Sequence, residues 1–270
     1  MKMIHYKSYA KLNLFLNIIN KRDDGYHNLQ SMMQIIDFHD DLSFERRRDN
    51  KIVLQTNNKQ LRKENIILDA AEALIKKYKI KRFGLNIKLN KKIPLGGGLG
   101  GGSSNAATTL MALSKIWNIN LTKKSLMRIG IKLGSDIPFF INGRNAWVEG
   151  KGDIITNIFI PQKWYLLVLN SEKVSTRTVF DQHIINTSNK LLTYDDFMQG
   201  QVSNDFKETV LTKYPLIQSA WNKLAKFGNP QLSGTGSTIF ASFDTLDSAI
   251  SAQKSTLKSF KTIISKSLIN

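Results

Sequence analysis

A chain of 270 residues with 41% hydrophobic residues can bury one large core or two smaller ones, and two lobes is the better expectation. It has no cysteine, which excludes disulfides, thiolate nucleophiles and cysteine-ligated zinc and suits a reducing cytoplasm. A formal charge of +18 would suit nucleic acid, but the basic residues are scattered, and the triple Arg46-Arg47-Arg48 before Asp49-Asn50 reads as a solvated hairpin tip; a field of this sign still gathers anionic substrates.

The N-terminus, Met1-Lys2-Met3-Ile4-His5-Tyr6-Lys7, has no apolar signal core, and no segment approaches the ~20 apolar residues of a membrane span, so a soluble protein is expected. Residues 8–20 read as a strand with Leu12, Leu14 and Leu16 on one face and Lys11 and Asn13 on the other. A lysine this early in an apolar strand is either an exposed cation or an aimed one. Asp24-Gly25 marks a turn, and Tyr26-His27 after it offers a ring and an imidazole that can stack on and hydrogen-bond a base, or simply pack. Strands are expected through Met33, Ile35 and Phe38, and over 42–45 and 52–54 across the arginine tip. Asn65 begins a helix with Ile66, Ile67, Ala70, Ala73, Leu74 and Tyr78 on its apolar side.

Phe83, Leu85, Ile87 and Leu89 alternate with small or polar residues, the mark of a half-buried strand. The strand leads into Pro94-Leu95-Gly96-Gly97-Gly98-Leu99-Gly100-Gly101-Gly102-Ser103-Ser104. Six glycines in seven positions let backbone N–H groups converge on one point. Ala106, Ala107, Leu110, Met111, Leu113 and Trp117 follow at helical spacing, with Ser103, Ser104 and Asn105 suited to cap the helix. Strand, glycine loop and helix start together favour a phosphate. No lysine lies between Gly96 and Ser104, which excludes a P-loop. A dinucleotide fingerprint threads through Gly96, Gly98 and Gly101 only because glycine is dense, and Asn118-Ile119-Asn120-Leu121-Thr122 lacks the acid it requires. A flexible linker would not be flanked by an alternating strand and an apolar helix. A phosphate loop of neither common type remains.

Thr122 caps a short helix carrying Leu126, Ile129 and Leu133, which Gly134 ends. In Ser135-Asp136-Ile137-Pro138-Phe139-Phe140, Asp136 by itself reads as an N-cap with proline just inside the helix. Gly150-Lys151-Gly152-Asp153 follows, and the apolar run over 164–169 opens a second lobe's sheet. Helices start at Ser175-Thr176 and at Asn204-Asp205-Phe206, and Pro215 opens an amphipathic helix closed by Gly228. Leu232-Ser233-Gly234-Thr235-Gly236-Ser237-Thr238 is a second glycine turn leading into a strand. A helix with Leu246, Ala249 and Ile250 and a strand over 260–264 close the chain.

Four blocks carry a resemblance: Ala10-Lys11-Leu12-Asn13-Leu14 with Asp24-Gly25-Tyr26-His27, residues 94–107, residues 134–140 with 150–153, and residues 232–241. Together they resemble the GHMP kinases, the superfamily of galactokinase, homoserine kinase and mevalonate kinase. The doubled Gly-Gly-Gly before Ser103-Ser104-Asn105-Ala106-Ala107 looks like its branch of 4-diphosphocytidyl-2-C-methyl-D-erythritol kinases. The resemblance implies a two-lobe α+β fold, with an ATP-binding N-terminal domain over 1–158, a smaller C-terminal domain over 159–270, and ATP and the acceptor between the lobes. It implies transfer of the γ-phosphoryl of ATP, with Mg2+, to the 2-hydroxyl of the cytidyl-linked polyol, by a cytoplasmic monomer or weak homodimer without nucleic-acid or membrane partners.

By the same resemblance Asp136 matches the catalytic base and Lys11 its partner, and Pro94 through Ser104 would cradle the triphosphate. Lys91 and Asn65 match residues on the nucleotide's side. Tyr26, His27 and Phe180 match the cytidine pocket, and Asn13 and Thr176 the methylerythritol end. Met33 stands where relatives commonly carry phenylalanine, which implies a flexible thioether as one wall of the cytosine clamp. Magnesium ligands stay unassigned, with Ser104 the one candidate. The alternatives are a GHMP kinase acting on homoserine or mevalonate, opposed by Tyr26-His27 after Asp24-Gly25, and a nucleic-acid-binding protein, opposed by the scattered charge.

Overall fold

Two long strands frame the chain: β1 (Ile4–Lys21) and β2 (His27–Arg46), paired with each other. The turn between them closes where the Arg22 amide donates to the Tyr26 carbonyl at 2.8 Å and Gly25 takes a φ of 82°. The computed structural model describes residues 3–61, 65–80, 83–170, 172, 174–182, 190–256 and 260–268. It divides into one unit of residues 1–10, 38–93 and 100–143 and another of residues 11–37, 94–99 and 144–270. This division differs from a boundary at 158, because β1 and β2 each contribute residues to both units.

In the first unit β3 (Ile52–Thr56) pairs in parallel with β4 (Leu85–Asn90), and β4 pairs antiparallel with residues 41–46 of β2. The arginine triple is therefore no hairpin tip. β4 takes the neighbouring place because Leu42 and Phe44 meet Leu89 and Ile87 in register, which matches apolar to apolar. Arg46 stacks 3.6 Å over the Phe83 ring, and Arg47 pairs with Asp49 at 2.7 Å. The helices are α1 (Ile66–Tyr78), α2 (Gly101–Ile116), α3 (Lys123–Gly130) and α4 (Ile137–Asn142). α1 buries Ile67, Ala70, Ala71 and Leu74, spaced for one helix face. Thr122 caps α3 as expected, but the helix ends at Gly130, and Gly134 closes the following turn onto the Gly130 carbonyl.

In the second unit residues 29–33 of β2 pair antiparallel with β5 (Ala146–Gly150), and β5 pairs with β6 (Ile154–Asn157). A separate antiparallel sheet has the order β10-β7-β9-β8, from β7 (Trp164–Leu169), β8 (Gln231–Leu232), β9 (Ile239–Phe243) and β10 (Lys261–Lys266). β7 is buried from Tyr165 to Leu169, which accounts for its unbroken apolar run. α5 (Thr176–Gln182), α6 (Tyr194–Met198), α7 (Lys207–Lys213), α8 (Pro215–Leu224) and α9 (Leu246–Thr256) complete the unit. α6 was not foreseen; five residues are too few for helical periodicity, and it rests on the capping box of Thr193 and Asp196. One core joins Leu16 and Ile18 of β1 to Leu166, Val168, Phe206, Val210, Ile217, Leu224 and Ile239. Among the described residues no helix is long and apolar enough to cross a membrane.

Phe206 is fully buried in this core and meets Phe180 edge-on at 4.6 Å. Phe206→Ala is expected to lower the stability of the fold by about 3–5 kcal/mol, measured as a shift of the urea unfolding midpoint.

Candidate active site

The glycine run is held by its carbonyls. In the second unit those of Gly96, Gly97 and Gly98 accept from Ser237 N at 3.2 Å, Thr238 N at 3.2 Å and Ser233 Oγ at 2.9 Å, and that of Leu99 accepts from Lys11 N at 3.0 Å. Four successive acceptors are thus used on protein donors. Among the described residues none accepts a hydrogen bond from the N–H groups of residues 98–103. Gly98 has φ 73°, and a Cβ there would lie 1.9 Å from the Ser233 carbonyl oxygen, so no other residue fits. The second glycine turn therefore packs on the first. Thr238 adds a buried hydroxyl without a partner among the described residues, 3.1 Å from where a Cβ of Gly97 would stand.

In the first unit α2 begins earlier than its serines suggest. Its N-cap is Gly100, with φ 68° and no side-chain cap, and Ser104 N already donates to the Gly100 carbonyl at 2.8 Å. Ser104 and Asn105, expected as caps, point into the core: Ser104 Oγ accepts from Ser8 at 2.8 Å, and Asn105 Nδ2 donates to Ser8 and Asp40, each at 2.9 Å. The first-turn N–H groups and the positive end of a 16-residue helix are left uncapped, which is the arrangement an anion selects. Gly101 is a buried position, not an open one: a Cβ there would meet Ile93 Cγ2 and Lys91 Nζ, each at 2.8 Å. At the exposed Gly102 a Cβ would meet nothing within 4 Å.

Asp136 occupies the N-cap position of α4 in αR conformation, with no side-chain cap bond, so its carboxylate does not serve as a helix cap. The turn before it reaches the start of α2, since a Cβ on Gly134 would stand 3.7 Å from Ser103 Oγ. Lys11 is an aimed cation: only 3% exposed, it donates from Nζ to Asn13 Oδ1. Asn13 is fixed in turn by donating from Nδ2 to Ser31 Oγ at 2.7 Å and from its amide to Ser233 Oγ at 3.3 Å.

Of the expected acceptor residues, Tyr26 is 51% exposed with the Lys151 ammonium 5.0 Å from its ring centre. The His27 and Phe180 rings lie 4.9 Å apart, and Thr176 Oγ1 is 3.1 Å from Thr235 Oγ1. Met33 is buried in β2 opposite Ala146, much as Lys11 and Asn13 are buried in β1. Asn65 spends its side chain on α1, accepting from Ile67 N at 2.9 Å and donating to the Leu61 carbonyl at 3.2 Å. The buried Lys91 amine donates to Asp40 Oδ2 at 2.6 Å and the Ile93 carbonyl at 2.7 Å. Burial pushes its pKa below the ordinary lysine value, against the pull of Asp40. Sequence reasoning missed Ser8, Asp40, Ser233 and Thr238. The two in the second glycine turn were visible as hydroxyls on either side of Gly234 and Gly236; nothing local marks Ser8 or Asp40.

Residues 65–144 match the GHMP kinases N terminal domain. The chain is 39% identical over 240 residues to the 4-diphosphocytidyl-2-C-methyl-D-erythritol kinase of Pasteurella multocida (strain Pm70), covering 89% of this chain and 81% of that one. To the enzyme of the same name from Hahella chejuensis (strain KCTC 2396) it is 41% identical over 246 residues, covering 87% and 83%. This chain belongs to the 4-diphosphocytidyl-2-C-methyl-D-erythritol kinase family. The crystal structure of a 4-(cytidine 5'-diphospho)-2C-methyl-D-erythritol kinase superposes on it with a TM-score of 0.84 at 24% identity, over 98% of this chain and 99% of that one, so the fold is that of the GHMP kinases.

The two kinds of glycine separate experimentally. Gly102→Leu fills open space before an uncapped helix and is expected to weaken ATP binding about tenfold or more in a calorimetric titration, at undiminished thermal stability. Gly98→Ala, with its Cβ driven into the Ser233 carbonyl, is expected to lose stability and ATP binding together.

Proposed function

We propose that this chain transfers the γ-phosphoryl group of ATP to the 2-hydroxyl of 4-diphosphocytidyl-2-C-methyl-D-erythritol, giving the 2-phosphate and ADP, in the non-mevalonate (methylerythritol phosphate) route to isoprenoid precursors. The observation that carries the reading is the glycine run, with four carbonyls bound to protein donors and a helix start left uncapped. The names of relatives near 40% identity support the choice of acceptor.

Phosphoryl transfer asks mostly for positioning and charge stabilisation, with one group to accept the hydroxyl proton. The N–H groups between Leu95 and Ser103 hold phosphate oxygens. Asp136, whose carboxylate does not cap α4, takes the proton of the 2-hydroxyl. Lys11, oriented by Asn13, supplies the cation that stabilises charge in the transition state. Asn13 and Thr176 serve the methylerythritol end. Tyr26 offers an exposed ring face to cytosine, and His27, braced by Phe180, reads the base's edge.

Magnesium would supply charge neutralisation on the triphosphate. Ser104 does not fit as its ligand, being 2% exposed and bonded to Ser8, and the described residues hold no group of three His, Asp or Glu that could hold a metal ion. The enzyme works in the cytoplasm on free small molecules, as a monomer or weak homodimer.

The decisive test incubates the protein with ATP, Mg2+ and the cytidyl substrate, with homoserine and mevalonate in parallel, and identifies the phosphorylated product by mass. Phosphorylation of homoserine or mevalonate in its place overturns the reading. Asp136→Asn is expected to retain both substrates and lose about 10²-fold or more in kcat by steady-state kinetics. Tyr26→Ala, losing a stacking surface of about 1–3 kcal/mol, is expected to raise the acceptor's KM roughly 5- to 150-fold with ATP's KM unmoved.

A further inference from the structure

A run of glycines cannot keep one shape by itself, because glycine gives up more backbone freedom on ordering than any other residue. Its shape has to be imposed by its surroundings. In the first unit both stems of the run meet one buried carboxylate. Asp40 is 0% exposed; its Oδ1 accepts from Lys92 N at 2.7 Å and Ile93 N at 2.8 Å, on the stem before Pro94. Its Oδ2 accepts from Lys91 Nζ at 2.6 Å and from Asn105 Nδ2 at 2.9 Å, the latter in the stem after Ser104. Asn105 also donates to Ser8 Oγ at 2.9 Å, and Ser8 donates to Ser104 Oγ at 2.8 Å. The stems touch at Gly101, where even a Cβ would collide with Ile93 and the Lys91 amine.

The neighbouring acid shows that this burial is not general to the strand. Asp41 is 44% exposed and pairs with Lys92 at 2.8 Å, an ordinary surface contact. Burying Asp40 is costly unless every lone pair is used, and here four donors use them. A lone carboxylate beside an anion site would also repel the anion, and the ammonium of Lys91 cancels that charge.

We infer that Asp40 is a positioning residue for nucleotide binding, which with Lys91 as counter-ion clamps both stems of the glycine run and presets the first turn of α2 for the triphosphate. Lys91 then acts on the nucleotide through Asp40. The inference rests on the ATP reading above and adds to it what holds the cradle ready.

The test is calorimetric ATP binding and steady-state kinetics on wild type, Asp40→Asn, Asn105→Ala and the double variant, each at a temperature where circular dichroism shows it folded. Asp40→Asn turns one acceptor into a donor facing donors. If it leaves about a tenth of the molecules with a competent loop, the Kd for ATP rises about tenfold. The Kd of the cytidyl substrate is expected to stay within about twofold, Asn105→Ala to shift ATP binding less in the same direction, and the double variant to fall short of the product of the single effects. Unchanged ATP affinity in folded Asp40→Asn overturns the clamp, as does equal weakening of both substrates. Should Asp40→Asn fail to fold, Asn105→Ala decides alone: an ATP-specific loss supports the clamp, and wild-type ATP affinity overturns it. A wild type that binds ATP but leaves the cytidyl substrate unphosphorylated defeats the proposed reaction and leaves the clamp to be judged on ATP affinity.

Discussion

The hydrogen bonds from Ser233, Ser237, Thr238 and Lys11 to four consecutive carbonyls are the constraint on which the rest depends. A peptide group that gives its oxygen to the protein turns its N–H the other way, and a loop without side chains has nothing else with which to bind. Anchoring the oxygens thus leaves the N–H groups of a glycine run turned away from those donors. It also explains why residues far apart in sequence converge here: 11–13, 94–99 and 233–238 are joined by bonds that only close backbone approach permits.

Polar residues inside this protein come as filled sets. Asp40 has four donors, Asn13 links Lys11 to Ser31 and Ser233, and Gln30 meets Glu149 and both backbone groups of Leu192. Low dielectric makes each such group costly when unpaired and rigid when paired. The exceptions are informative for the same reason. Among the described residues Gln34 Nε2, Trp117 Nε1 and Thr238 Oγ1 are buried without partners, and the last lies against the glycine run at Gly97.

Most elements were legible because their signals are local. Alternation marked β4, a capping asparagine and apolar face marked α1, and glycine density marked the loop. What the sequence left unreadable is long-range. The partner of β3 depends on which strand lies beside β2, and since that is β4, a plausible hairpin is instead a parallel pair of β3 with β4. The start of α2 was misplaced because the serines are good caps in isolation, while Ser104 and Asn105 are claimed by Ser8 and Asp40, some 65 to 97 residues away. Asn65 and Lys91 were expected to face a nucleotide, yet their side chains are taken up by a helix cap and an ion pair. Residue type and position could not show that.

β1 buries Ser8, Lys11, Asn13 and Asn17 among its apolar residues, each with a partner: Ser104 and Asn105, Asn13, Ser31, and Gln30 with the Lys190 carbonyl. A strand buried on both faces with apolar residues alone tolerates sliding, since one aliphatic contact replaces another. Here a slip of one residue would turn every side chain to the opposite face and strand an ammonium, two amides and a hydroxyl in a dry interior. The buried polar residues of β1 therefore act as a vernier: they leave its 18 residues a single alignment, and with it a single place for Lys11.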